Sequence, residues 1–548
     1  MIKKAELNDG FIKHDCEIIY NNIVNKIDPQ IHAAAYTSIQ NSGGYAEPEF
    51  AGKYIDICVQ LSNRYGDAKA LENAKLVIDS ILKHQRADGY LGPYCSGIET
   101  DGFGVWNQTF TILGMLSFYK VTKNQEVLNA MIRGTTYIME QFISGKHDIL
   151  DAANDGVEHI SILLPLCNLY IETKNKKIEE YINFIVSKIK NSDLNYFNFE
   201  SILKLRSRKG IESFVILLGM IKYSEIYSDK SVLDAVEKYW QEVNDTQIRN
   251  TGNGTVGELW VENGNACNLY GAEVRPNETC VAVGWCELSL ALFFKNQEVK
   301  YLNAIDKTLY NHILASLSED GSDFAYYQPN YGKRVLSTNE SQYKCCRYRG
   351  FTLFTYLNEM LIFEDDDKII PILYAPCTYK SNCSDVSIET KYPYIPSVKL
   401  SIKSQKNKKL MLRIPEKCEL KNIYVNDKNI KHNIESGYAV VYINANKEYL
   451  IELNLSNKIV LETGICNDKY YASFNYGCVL LAAYDIDLST DLMNSTLEIK
   501  PVQPTSNHKL EFISDGSRCG KTYKIKLCEY SAADNYSVWI PYKKEALK

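Results

Sequence analysis

Tyr119-Lys120-Val121-Thr122-Lys123-Asn124 and Tyr170-Ile171-Glu172-Thr173-Lys174-Asn175 close two amphipathic segments in the same way, and each is followed at once by another such segment. The repeated hexapeptide therefore reads as the turn of a helical hairpin. Shorter echoes stand at Tyr227-Ser228-Asp229-Lys230 and Phe294-Lys295-Asn296-Gln297. Hairpins that recur at a spacing of roughly fifty residues, none able to bury its apolar stripe alone, predict a solenoid or a closed ring. About a dozen helical segments precede residue 365. That is enough for a double-layered α/α ring, and an open solenoid fits the same pattern.

Residues 69–85 show the helical spacing: Leu71, Ala74, Val77, Ile78, Ile81 and Leu82 fall on one stripe. After Asp367 the period changes from helical to two. Stretches such as 397–405, 409–415 and 449–456 alternate apolar and polar residues between Asn, Asp, Lys and Gly clusters, which predicts antiparallel strands in one or two sandwiches. The expected organisation is a mainly α domain over 1–365 followed by β-sandwich domains over 366–458 and 459–548.

A chain of 548 residues exceeds one ordinary core, and 45% hydrophobic with 23% charged residues is the composition of a globular protein. A net charge of -6 offers no basic field for phosphate backbones, so nucleic acid is not expected as a partner. The start, residues 1–15, lacks the apolar run of a secretion signal, and no stretch approaches the ~18 apolar residues of a membrane span. The expected location is the cytoplasm, without membrane contact. Its 16 cysteines are then reduced, and serve as core residues, ligands or nucleophiles before disulfides. The 40 tyrosines suit stacking on sugar rings, although composition bias explains them at least as well.

The chemistry concentrates in two distant segments, Glu278-Thr279-Cys280 and Cys345-Cys346. Three thiols and a carboxylate are donors that a borderline-soft ion such as zinc accepts in a four-coordinate site. Neighbouring cysteines can both face one ion only from an irregular loop, because helical neighbours diverge by roughly 100°.

With these motifs in place the chain resembles the glycoside hydrolase family 127 superfamily, which includes β-L-arabinofuranosidases. The landmarks are Gly52-Lys53-Tyr54, then Gln85-Arg86-Ala87-Asp88-Gly89-Tyr90-Leu91-Gly92, Gly257-Glu258-Leu259-Trp260, the Glu-Thr-Cys triplet, Leu309-Tyr310-Asn311, Cys345-Cys346 and Arg413-Ile414-Pro415. Residues 471–483 and 528–535 complete the set. The resemblance implies an (α/α)6 barrel carrying the active site, followed by antiparallel β-sandwich domains. It implies that Glu278, Cys280 and Cys346 hold Zn2+, with Cys345 as fourth ligand and nucleophile, and that Glu258 is the general acid and base. Glu262 and Glu273 are the neighbouring alternatives for the acid. Leu259 and Trp260 are expected to form an apolar wall that raises the pKa of Glu258.

Where many members read CCPPN, this chain continues from Cys346 with Arg347-Tyr348-Arg349-Gly350-Phe351. Arg347 and Arg349 either fork onto a sugar carboxylate or pair with scaffold acids. Asp88, Tyr90, Trp106 and His159 are the further candidates for substrate contact. The expected function is a zinc-dependent retaining exo-glycosidase. It would act on a small oligosaccharide or glycoside, removing β-L-arabinofuranosyl or a related sugar from plant-derived material, with a homodimer among the expected states. The alternatives are an uronyl hydrolase or lyase with a structural zinc, and a non-catalytic carbohydrate-binding relative.

Overall fold

The computed structural model describes residues 4–265, 275–334, 345–431, 433–484, 490–500 and 509–544. Twelve helices of nine or more residues, among the described residues, build its first part: α1 (Phe11–Asn21), α2 (Glu47–Tyr65), α3 (Ala68–His84), α4 (Gly104–Thr122), α5 (Gln125–Ile143), α6 (Leu163–Thr173), α7 (Lys176–Lys190), α8 (Gly210–Tyr227), α9 (Lys230–Thr246), α10 (Thr279–Asn296), α11 (Val299–Lys307) and α12 (Cys345–Tyr356). Helices α2, α4, α6, α8, α10 and α12 contact one another in that order, and α12 packs back onto α2. The ring therefore closes, and the open solenoid is excluded. Each inner helix is backed by an outer one, with α1 behind α12.

Sequence accounts for the two layers. An inner helix is covered on both sides, so α4 and α10 bury residues around their whole circumference. An outer helix meets solvent, so α9 buries one stripe, Val232, Ala235, Val236, Tyr239, Trp240 and Val243.

The repeated hexapeptides end in one device. Lys123, Lys174 and Ser228 leave their helices in the left-handed conformation, and the next residue, Asn124, Asn175 or Asp229, accepts a backbone N–H of the following helix. Gly66 and Asp67 do the same between α2 and α3. A C-terminal stop fused to an N-cap turns the chain in two residues and satisfies orphan groups on both helices.

Gly52 sets the spacing on one side of the ring. A Cβ there would stand 2.2 Å from the carbonyl oxygen of Phe110, so α2 and α4 approach each other through a glycine.

A seven-stranded sheet follows in the spatial order Lys4–Leu7, Cys377–Lys380, Ser384–Lys391, Ile395–Ser404, Glu448–Asn457, Cys418–Val425 and Lys428–Ile430. Residues 4–7, expected with the helical region, thus pair with the β region. A five-stranded sheet packs with it, and their core is continuous with that of the helical ring. The pairing is antiparallel except between Lys368–Pro371 and Lys408–Arg413 in that sheet and at Leu492 beside Tyr542 in the third. The third sheet has ten strands, with separate clusters Tyr471, Leu480, Trp539 and Phe474, Leu481, Ile540. It borrows Tyr331–Lys333 from the helical region.

Arg413 fastens the β region to the ring through a fully buried ion pair, 2.6 Å from Asp306 at the end of α11, where Tyr392 also donates at 2.6 Å. Every cysteine among the described residues is a free thiol. Among the described residues no helix is long and apolar enough to cross a membrane.

Candidate active site and metal centre

The N-terminal ends of five inner helices, and the short helical turn ahead of α6, converge on one cavity of about 1050 Å³. Its wall includes Glu49 at the start of α2, Trp106 in α4, Glu158 ahead of α6, Glu212 in α8, Glu278 at the N-cap of α10 and Cys345 opening α12. Five helix dipoles point their positive ends there, which favours carboxylates and thiolates.

Glu278 caps α10 in extended conformation without using its side chain. The triplet is clamped through its neighbours: Asn253 donates to the Glu278 carbonyl at 2.6 Å, and the Thr279 hydroxyl donates to the Ala325 carbonyl at 2.7 Å. The donor atoms of Glu278, Cys280 and Cys346 lie within 4.8 Å of one another. Sulfur atoms of Cys280 and Cys346 are 3.2 Å apart, and that of Cys345 is 3.0 Å from Cys280. Glu278 Oε1 is 3.8 Å from the Cys346 sulfur, and its Oε2 is buried with no hydrogen-bonding partner. Burial pushes the Cys346 thiol up to about 12 and that of Cys280 well above its ordinary value. Gathered sulfurs whose ionised form is unsupported by protein alone, beside an orphaned carboxylate oxygen, fit a thiophilic divalent cation.

The vicinal cysteines open a helix, and an irregular loop is not needed. Divergence of helical neighbours separates them instead. Cys346 is buried against Cys280 and Glu278, whereas Cys345 is half-buried and lines the cavity. The Cys345 sulfur lies 3.4 Å from both Lys53 Nζ and Glu49 Oε1, which form a buried ion pair. Burial favours the neutral amine of Lys53, but Cys345 and Glu49 outweigh it and hold the ammonium.

Glu258 follows Gly257 in a turn where both residues have positive φ, 56° and 70°. Lys209 Nζ is 2.6 Å from its Oε2, and the Tyr327 hydroxyl donates to Oε1 at 2.5 Å. Burial raises this carboxyl, yet Lys209 and Tyr327 overcome it and leave the pKa below the ordinary value. The expected apolar wall is absent. Trp260 is fully buried with its indole donating to Tyr239 at 2.7 Å, and Leu259 is exposed.

Of the six residues expected on the substrate side, Trp106 alone lines the cavity. Asp88 and Tyr90 belong to a knot around Arg86, which pairs with Asp88 at 2.6 Å and lies over the buried Tyr90 ring at 4.9 Å. His159 is buried, its ring nitrogens 3.2 and 2.8 Å from the carbonyl oxygens of Ile149 and Thr100, and burial lowers its pKa. Arg347 lies 4.0 Å from Asp323 and over the Phe351 ring. Arg349 is buried on Glu287, and both line a second cavity toward the C-terminal halves of the inner helices. Glu262 is exposed, and Glu273 lies outside the described residues.

Sequence reasoning missed Glu49, Lys53, Glu158, Lys209, Glu212 and Tyr327. A usable signal existed for most of them: charged residues in the first turns of segments otherwise apolar on every side are buried by the packing of those segments.

The profile described as β-L-arabinofuranosidase, GH127 catalytic domain, matches residues 5–359, and that of the GH127 middle domain matches 368–457. A non-reducing end β-L-arabinofuranosidase of Bifidobacterium longum subsp. longum is 21% identical over 546 residues, covering 86% of this chain and 81% of that protein. The crystal structure of a GH127 β-L-arabinofuranosidase from Geobacillus stearothermophilus T6 superimposes with a TM-score of 0.76 at 16% identity, over 98% of this chain and 100% of that one. A second GH127 β-arabinofuranosidase gives 0.78 at 16% identity, over 100% and 98%. At that identity the solved structures show the fold.

Proposed function

This chain belongs to the GH127 β-L-arabinofuranosidase family of glycoside hydrolases, and from that premise we propose that it is a retaining exo-glycosidase with Cys345 as nucleophile and Glu258 as acid and base. Its substrate is a β-L-arabinofuranosyl or closely related unit of a small plant-derived oligosaccharide. One observation carries the reading: of the three clustered thiols, the half-buried Cys345 is the one on the cavity wall.

Glu278, Cys280 and Cys346 would hold the cation, with Cys345 beside them, and their sulfur-rich donor set favours zinc. A bound zinc ion supplies the positive charge that keeps adjacent sulfurs ionised at neutral pH.

The chain's own residues perform the transfer. The sulfur of Cys345 attacks the anomeric carbon, a C–S bond forms as the glycosidic C–O bond breaks, and Glu258 gives its proton to the departing oxygen. Glu258, now ionised, takes a proton from water; the water oxygen displaces the sulfur, and two inversions return the original configuration. Lys209 and Tyr327 stabilise the ionised form used in the second step. Displacement of water by substrate favours the neutral form needed in the first. Lys53 donates to the Cys345 sulfur and Glu49 orients Lys53, which supports the nucleophile's position.

Mass spectrometry of protein trapped with an aryl glycoside tests the assignment. A glycosyl adduct on Cys345 is expected, with turnover falling at least about 10³-fold in Cys345→Ala. An adduct on a carboxylate, or turnover that survives that substitution, rejects the thiolate mechanism.

A further inference from the structure

Two carboxyl groups on the cavity wall have no part in the transfer just described. Glu158 and Glu212 are only 2% and 5% exposed, although both line the cavity. Glu158 Oε1 accepts from the Asn154 amide, and Glu212 Oε1 is 3.5 Å from Lys209 Nζ. The second oxygen, Oε2, of each is buried without a hydrogen-bonding partner. Two such acceptors on one wall are unsatisfied by the protein's own groups, and polar groups of a ligand would relieve them. Lys209 also links Glu212 to Glu258, 2.6 Å from its Nζ.

We infer that Glu158 and Glu212 form a glycone subsite that grips neighbouring hydroxyls of an uncharged sugar and turns away uronates. The inference rests on the glycosidase reading above and deepens it. Carboxyl groups accept from sugar hydroxyls, and a carboxyl that retains its proton also donates to one. Burial, with the charge of Glu212 adding, pushes Glu158 up to about 8, so it is the donor of the pair at neutral pH. Phe50, Phe103 and Trp106 on the same wall supply apolar faces for the C–H side of a ring. A uronate would instead set its carboxylate against Glu212 and Glu258, and the cation between those two, Lys209, is already engaged by Glu258.

The test uses the whole protein with Glu158→Gln and Glu212→Gln, which preserve shape. Titration calorimetry with L-arabinose and with D-galacturonic acid, and kcat/KM on a panel of neutral aryl glycosides, their deoxy analogues and a matched aryl uronide, are the readouts. Each substitution should weaken neutral-sugar binding and kcat/KM by roughly 10- to 100-fold. The penalty should shrink for the analogue lacking the gripped hydroxyl, and metal content should stay unchanged. Wild-type preference for L-arabinose over galacturonate is read without any variant, so a misfolded substitution does not protect the idea. Binding of galacturonate as tight as that of the neutral sugars, no binding of any neutral sugar in the panel, or variants within twofold of wild type overturns the subsite. A wild type that binds neutral sugars yet cleaves no glycoside removes the glycosidase reading instead, because binding is measured without turnover.

Discussion

Lys209 Nζ lies 2.6 Å from Glu258 Oε2, on a residue pair that the ring brings together from the start of α8 and from the turn ahead of α10. The ammonium offsets the desolvation of a largely buried carboxylate, and the sign of that balance sets when Glu258 carries its proton. Lys209→Met should raise the Glu258 pKa. The first chemical step needs protonated Glu258, so the alkaline limb of the kcat/KM profile should move to higher pH. A limb that stays in place in an active variant would reassign the acid.

Loss of a ligand should empty the metal centre. Cys280→Ser, Cys346→Ser and Glu278→Gln should each reduce the divalent metal content of purified protein from about one ion per chain to a small fraction, as measured by inductively coupled plasma mass spectrometry. The melting temperature should fall with it, because a ligand that binds only the folded state stabilises that state. Full metal occupancy in Cys346→Ser would reject the assignment.

Arg413 is fully buried on Asp306. Arg413→Met leaves that carboxylate uncompensated and should cost about 3–5 kcal/mol, read from the denaturant midpoint. Adding Asp306→Asn should recover part of the loss, since the cost comes from the unpaired charge and not from the missing pair itself. Additive losses in the double variant would show the two sites to be independent.

Burial holds Glu158 at about 8, above the ordinary carboxyl value of 4.5. Below about pH 4.5 the folded and unfolded chains both bind the proton. As pH rises toward 8, the unfolded chain releases it first, so this residue subtracts stability progressively across that window. Glu158→Gln should therefore gain melting temperature relative to wild type on going from pH 5 to pH 8 in a calorimetric scan. A constant difference across the range would place the titration elsewhere.

Much of the architecture is legible in the chain because periodicity is a local property. The hexapeptides at 119–124 and 170–175 each join a helix stop to a helix start, and their recurrence predicts stacked hairpins. The change of period after residue 365 marks the sheets. Closure of the ring depends on α12 returning to α2 across some three hundred residues, and no local signal encodes that contact. The same holds for Lys4–Leu7, which has the look of a leader to the helices and pairs with Cys377–Lys380.

The donor set is likewise local: Glu-Thr-Cys and Cys-Cys announce thiolate and carboxylate chemistry by residue type alone. The division of labour within it is not. Which cysteine faces the cavity follows from the roughly 100° between neighbours at the start of α12, and from Lys53 and Glu49 standing on the neighbouring helix α2. Tertiary structure alone decided the protonation of Glu258 as well. Sequence proximity nominates Leu259 and Trp260 as its surroundings, but a tight turn sends Trp260 into the core and sets Lys209 and Tyr327 against the carboxylate. Electrostatic environment is summed over through-space neighbours at a few ångströms, and for a side chain at the mouth of a ring those neighbours come from every hairpin.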